Sequence, residues 1–445
     1  METRRAFLSQ LCASAASPAA AAGTRSDTFP TWLKSHTNAV RTVDFADDDF
    51  SDLEPLGDAV GAARVVQLGE PSHGAGSAFA AKARVVRFLH QHLGFDVLIW
   101  ESGLYDVALA QAQMRSSVSD AVTAARTGLF SLWSQAAEVR PLFEYIKASQ
   151  PTLRPLDMAG FDLQVTADGT RERFARDLRD FVAALRDPVS RQQATSLAEQ
   201  ALAARERLFV SKFSGSGDLK VLTTAVRALR TMMDRGRDGF EAVHGRLETS
   251  FMSRAVENMR ADAALRSGAA RSPATTPARE SRRDALNAAN LRWLIEERYA
   301  GRKVMVWAHN AHVMNAYYAP GFHDVHLKPQ PGDMKPTGVF VKDWLGDQVY
   351  TVGITAYAGQ EGFAVGGPVS AIAPAREGSL EAQLHASGDK FAFLDLRAAG
   401  KKHPGPLHGN LAVRIPKFDT VEVPDLGRIY DGIFFIDQIA AATHI

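Results

Sequence analysis

A single cysteine, Cys12, occurs in 445 residues, and it lies in an Ala-rich N-terminal stretch rather than in the body of the chain. Disulfides, thiolate catalysis and Cys-based zinc sites are therefore excluded together from that body. An excess of either charge is also missing, because 51 basic and 50 acidic side chains leave a formal net charge of +1. No long-range field recruits nucleic acid or an anionic membrane, and a small molecule is the expected partner. Runs of 18 or more apolar residues are absent, so no integral membrane span is expected. Missing too are a G-x-S-x-G elbow, a P-loop, a G-x-G-x-x-G after a strand and an H-E-x-x-H pair. The common serine hydrolases, nucleotide sites and zincins lose their sequence support. Oligomeric state is not encoded in any of these features.

With 46% hydrophobic and 23% charged residues, the chain has ordinary globular composition and enough length for a large core. Residues 1–25 carry Arg4-Arg5, then Phe7-Leu8, an Ala-rich run and Ala20-Ala21-Ala22. That order reads as a twin-arginine-type export leader, which would send the protein to the periplasm or beyond; without a working leader it would stay in the cytoplasm.

Seven short apolar runs read as strands: 64–69, 97–101, 156–162, 304–310, 349–356, 391–396 and 433–437. Most lack the alternation of a half-exposed strand, as expected where both faces are covered. Helical patterns lie between several of them, for example at 79–93, where Phe79, Val86, Leu89 and Leu93 share a face. The expected fold class is α/β, a mostly parallel sheet flanked by helices. Residues 171–302 hold amphipathic runs without a convincing strand and read as a large inserted helical bundle. The expected organisation is thus a first half of the α/β core at 26–170, the insertion at 171–302 and the second half at 303–445. Residues 266–283 read as a mobile surface loop, and 315–338 as a long loop of the kind that forms lids.

Polar residues cluster at the expected carboxyl ends of four strands. Glu70 and His73 follow the first, Glu101 ends the second, Asp162 ends the third, and the fourth runs into His309 and His312. Ligands of open parallel sheets bind outside those ends, so the segments should converge on one crevice. Each residue also has an ordinary reading. Glu70 or His73 alone could cap the following helix, and Asp162 could be a turn residue as readily as a substrate contact. Glu101 is harder to dismiss, because a carboxylate following four apolar residues needs a partner. His309 and His312 lie one helical turn apart and share a face. Lys82 and Arg84 could be a solvated helix face or could bring positive charge to the crevice as substrate contacts. The two glycines at 74 and 76 read as backbone slack that lets a ligand approach. Trp133 reads as core, Glu138 is open, and His323 and His326 read as ordinary loop histidines.

Two acids and three imidazoles suit general-base activation of water. The same groups could ligate a divalent metal through Glu70, His73, His309 and His312; otherwise no cofactor is expected. A third reading makes the cluster part of an exported small-molecule-binding protein without turnover.

In order along the chain, LGEPSHG (68–74), VLIWES (97–102), GFDLQ (160–164), RRDALNAANLRWL (282–294) and VWAHNAHV (306–313) resemble the landmarks of the erythromycin esterase family. The resemblance runs from about residue 60 to the YDGIFFID that ends at Asp437. It implies an α/β core with a helical insertion and hydrolysis of an ester, in the best-known members a macrolide lactone. By position it implies His73 as the water-activating base, Glu70 and Glu101 as its acidic neighbours, and His309 and His312 as a second histidine group; His309 or His312, with the basic residues, is expected to stabilise the developing oxyanion. Lys82 stands where the family commonly has Arg, which keeps the charge but loses the planar fork. Arg283, Asp284 and Asn290 follow the pattern, whereas Asn287 stands where Met is usual.

Overall fold

The computed structural model of the protein describes residues 28–164, 170–210, 216–266, 276–318, 325–326, 335–397 and 408–445. The export leader expected at 1–25 and His323 lie outside them, as does the side chain of His326. Each of the seven apolar runs forms a strand close to its expected bounds. In chain order the strands are β1 (Thr37–Val40), β2 (Val65–Leu68), β3 (Phe95–Gly103), β4 (Asp157–Asp162) and β5 (Lys303–Trp307). The short β6 (Tyr317–Tyr318) and β7 (Val325–His326) pair with each other. They are followed by β8 (Val349–Glu361), β9 (Ser370–Ile372) and β10 (Phe391–Asp395), then a hairpin of β11 (His408–Arg414) and β12 (Thr420–Asp425), and finally β13 (Gly432–Ile439).

Nine of these strands form one sheet in the order β1-β10-β13-β8-β2-β5-β3-β4, with β9 paired to β8. Six neighbours, from β13 to β4, run parallel; β1, β10 and β9 are antiparallel additions. The missing alternation is explained by burial on both faces. Val66, Leu68, Leu98, Trp100, Met305 and Trp307 enter one core, while Val65, Val97, Ile99, Val304 and Val306 enter the other. Successive side chains leave a strand on opposite sides, so two apolar layers demand an unbroken apolar run. On the first face Leu68 and Trp100 are both in register with Trp307. The two indoles lie 4.7 Å apart and form an aromatic layer just below the carboxyl ends of the strands.

The helix Gly76–Leu93 covers that first face through Phe79, Val86 and Leu89 and ends at Gly94, whose φ of 77° makes the left-handed cap. From Thr170 to Arg298 every described element is helical. Its helices share a third core around Leu178, Leu222, Leu229 and Val256. The last long helix, Thr276–Trp293, runs back to the sheet. Asn287 Oδ1 accepts from the Leu163 amide at 3.0 Å and Asn290 Nδ2 donates to Phe161 O at 3.1 Å, which pins the helix to the end of β4. Asn287 is thus built in as a backbone acceptor. The stretch 266–283, expected as a loop, becomes helical from Thr276 onward, with 267–275 outside the described residues. Arg and Ala, which are good helix formers, outweigh the Ser/Pro signal in its second half.

Candidate active site

Glu70, Glu101, Asp162 and His309 all sit at the carboxyl ends of parallel strands, and the sheet order makes those strands consecutive neighbours. Strand β5 inserts between β2 and β3, so His309 comes to lie between the two glutamates. The crevice is built from segments more than two hundred residues apart.

Glu70 is fully buried and its two oxygens are shared among three donors. Oε1 faces His73 Nδ1 at 2.8 Å and accepts from the Trp133 indole at 3.0 Å; Oε2 accepts from Lys82 Nζ at 2.6 Å. A carboxylate on Nδ1 puts the ring proton there and leaves Nε2 with its lone pair. The His73 side chain is 27% exposed, and Nε2 makes no hydrogen bond among the described residues. Its ring meets Trp133 and His309 edge-on at 5.3 and 5.1 Å. The geometry therefore gives one imidazole, oriented by an ionised acid, whose outer nitrogen opens to the crevice.

Glu101 occupies the middle of the site. Oε2 accepts from the His309 amide at 2.9 Å, and Oε1 lies 3.1 Å from Arg283 Nη2 and 3.2 Å from His312 Nε2. Burial alone would raise its pKa, but the charge of His312, then that of Arg283 and the His309 amide, outweigh it and hold the carboxyl far below the usual range. Asp162 is buried and paired with Arg283, which burial would discharge but Asp162 and Glu101 hold as a cation. With its amide oriented toward the guanidinium, Gln164 accepts from Arg283 Nε at 2.7 Å.

The two histidines of the second pair differ. His309 caps its short helix: Nδ1 accepts from the Ala311 amide at 3.0 Å, and Nε2 lies 3.1 Å from Pro71 O, so both nitrogens are held by backbone. Burial, with His73 and His312 adding to it, keeps this ring neutral. His312 presents Nδ1 to Asp284 Oδ1 at 2.8 Å. Burial pulls its pKa down, yet Asp284 and Glu101 more than reverse that and raise it to about 9.

Lys82 and Arg84 do not stand at the crevice mouth, and both are buried. Lys82 lies beneath Glu70, also donates to Ala308 O at 3.2 Å, and sits 4.1 Å over the Trp307 ring. Burial lowers its pKa to about 8 against the pull of Glu70. Arg84, two residues on, is turned by about 200° around the helix. It pairs with Asp52 at 2.8 Å and donates to Thr42 O and Asp49 O, away from the cluster. The glycines after His73 are not slack either. A Cβ at Gly74 would come within 2.9 Å of the Gly362 backbone, and one at Gly76 within 2.6 Å of Ala441 O. Absence of a side chain admits the Gly362 backbone and the segment after β13, whose Ala442 amide donates to Gly74 O at 3.0 Å. Glu138 accepts from the Thr443 amide in the same layer.

Three site residues were not legible as such. Trp133 reads as core and is core, but its N–H also feeds Glu70. Arg283 and Asp284 sat in and beside an apparent loop; the available signal was the Arg-Arg-Asp run ahead of the histidine strand. As arranged, Glu70, His73, His309 and His312 do not fit a shared cation. Glu70 is saturated by Lys82, Trp133 and His73, and His309 by backbone. No three His, Asp or Glu converge in the manner of metal ligands among the described residues. Among those residues no helix is long and apolar enough to cross a membrane.

Comparison with known proteins is consistent with this fold. A putative hydrolase, YbfO of Bacillus subtilis, is 25% identical over 93% of this chain and 92% of its own. The type II erythromycin esterase of Escherichia coli is 23% identical over 92% and 97%. Among solved structures, a succinoglycan biosynthesis protein aligns with a TM-score of 0.72 at 17% identity, covering 94% of this chain and 98% of its own. The open form of a mutant erythromycin esterase, EreC, aligns with 0.66 at 16% identity, covering 92% and 98%. These likenesses show a shared fold. The erythromycin esterase family profile matches residues 90–439, and the chain belongs to the erythromycin esterase family.

Proposed function

We propose that this protein hydrolyses a carboxylic ester or lactone, with His73 as the base that activates water. The observation that carries the reading is the Glu70–His73 pair: a buried, Lys82-neutralised carboxylate 2.8 Å from Nδ1 leaves Nε2 free and partly exposed. Such a ring takes a proton from water as the oxygen attacks the carbonyl. Positive charge for the developing oxyanion is at hand in Arg283 and His312, both held as cations by Glu101, Asp162 and Asp284. Pure binding would not require an oriented base beside a second, charged imidazole. A metal-dependent route finds no support in how the four candidate ligands are used. A macrolide lactone belongs in the substrate panel because a relative bears the name erythromycin esterase. With the export leader expected at 1–25, hydrolysis would take place outside the cytoplasm.

The test is a panel of macrolides, simple lactones, alkyl esters and aryl esters, run with and without chelator on the purified protein and on His73→Ala. Turnover of at least one ester class, unaffected by chelator and reduced on the order of 10³-fold in the variant, is expected. Full activity of a folded His73→Ala protein would remove His73 from the base role.

A further inference from the structure

We propose that His312 is the general acid that protonates the departing alcohol, and that Asp284 is the positioning residue that arms it. This rests on the hydrolase reading above and assigns the second half of its reaction.

The geometry around His312 differs from that of any other imidazole in the site. Asp284 is fully buried, and its Oδ1 faces Nδ1 at 2.8 Å while also accepting from Thr337 Oγ1 at 2.7 Å and the Thr337 amide at 3.2 Å. Three donors on one oxygen fix the carboxylate, and the carboxylate fixes the proton on Nδ1. Nε2 then faces two groups of opposite character: Glu101 Oε1, an acceptor, at 3.2 Å, and Arg283 Nη1, a donor, at 3.3 Å. A protonated Nε2 is matched by Glu101. A deprotonated Nε2 is matched by Arg283. The ring therefore has a partner in both states, and giving up its proton leaves no buried nitrogen orphaned, which is what a proton donor in a closed site requires. His309, one turn earlier, has both nitrogens locked to backbone and lacks this freedom.

Among the described residues, charged groups face His312 from several neighbouring elements. Asp284 and Arg283 come from the helix Thr276–Trp293, Glu101 from β3, and neutral His309 from its own helix; Asp162 of β4 acts through Arg283. The helix Thr337–Leu345 brings only the Thr337 hydroxyl and amide, because its Lys342 turns to Asp431. Burial opposes the charged ring, the two carboxylates prevail, and the imidazolium persists to about pH 9.

One proton of water passes to His73 Nε2 while its oxygen bonds to the carbonyl carbon, giving a tetrahedral oxyanion. That adduct collapses, the bond from carbon to the alkoxy oxygen breaks, and the leaving oxygen takes the Nε2 proton of His312. The neutral ring is held by Arg283 until it takes up a proton from solvent, and His73 releases its own proton to solvent as the acid and alcohol products depart, so both rings return to their starting states.

The deciding experiment uses Asp284→Asn, which can still accept the Nδ1 proton but carries no charge. Histidine NMR titration should show His312 titrating at lower pH than in the wild type, with Asp284→Glu restoring the higher value. Turnover of alkyl esters, whose alkoxide needs a proton, should fall about tenfold further than turnover of nitrophenyl esters, which loses only the cation beside the oxyanion. His312→Gln should show the same discrimination between leaving groups and serves if Asp284→Asn does not fold. An equal loss on both ester types, or an unmoved His312 titration, would overturn the proposal. If the wild type turns over no ester at all, the hydrolase reading fails and the acid role with it, even with the titration coupling intact.

Discussion

The site contains two acid–imidazole pairs, and they are built in opposite ways. Glu70 and His73 are three residues apart on one loop, and the imidazole is 27% exposed with a free outer nitrogen. Asp284 and His312 come from different elements, 28 residues apart in sequence, and both nitrogens of the ring are partnered. The first carboxylate also holds a buried Lys82, so it is shared between a cation and the ring it orients. The second has hydroxyl and amide donors instead of a cation, and its charge is spent on His312. What an acid does to a histidine therefore depends on what else the acid already holds. An acid that already holds a cation serves to orient its ring; an acid without one holds its ring as an imidazolium.

Breaking the first pair should have the largest effect. Glu70→Gln is expected to cost on the order of 10³ in kcat, because an amide facing Nδ1 can donate and so stabilise the wrong tautomer of His73, and because Lys82 loses its counter-charge. Steady-state kinetics, with circular dichroism to confirm folding, would measure it; activity within a few fold of wild type would mean that Glu70 does not orient the base.

The second pair should reveal itself in stability. The folded pKa of His312 lies near 9, above the ordinary 6.5, so its contribution is fully present below about pH 6.5 and is lost as pH rises through about 9. That gap corresponds to about 3 kcal/mol. Denaturant unfolding of wild type and His312→Asn across this window should show the wild type losing more stability by about that amount. Lys82, depressed to about 8, acts in the opposite direction in both proteins, so their difference isolates His312. Parallel curves would contradict the assigned charge.

The smallest expected effect sharpens the first pair. Trp133→Phe removes one donor to Glu70 while keeping the aromatic packing against Trp100. A loss of about 1–2 kcal/mol in unfolding free energy and a few-fold drop in kcat are expected, as for one hydrogen bond to a charged group. Unchanged kinetics and stability would show that Lys82 alone suffices to hold the carboxylate.

Much of this arrangement could be read along the chain. The seven apolar runs mark strands because burial on both faces imposes unbroken apolar sequence, and polar residues at their ends mark the crevice. Glu70, His73, Glu101, His309 and His312 are visible on that ground. The direction of Lys82 and Arg84 is not, since both interrupt an apolar helix pattern and only packing decides which one lies under the site. Gly74 and Gly76 suggest looseness, and the close approach of Gly362 and of the segment after β13 reverses that meaning. His309, which lies between the two glutamates, turns out to be held by backbone on both sides.

By itself the sequence determined the available chemistry, acids and imidazoles without thiols, and the fact that these lie where strands end. It also determined the one pairing that is local, because three residues of loop cannot carry Glu70 far from His73. Only the tertiary structure decided that β5 enters between β2 and β3, and with it which acid meets which histidine. The reason is physical. Strands buried on both faces are all apolar and interchangeable in pattern, so their order is settled by how helices and side chains pack across the whole sheet.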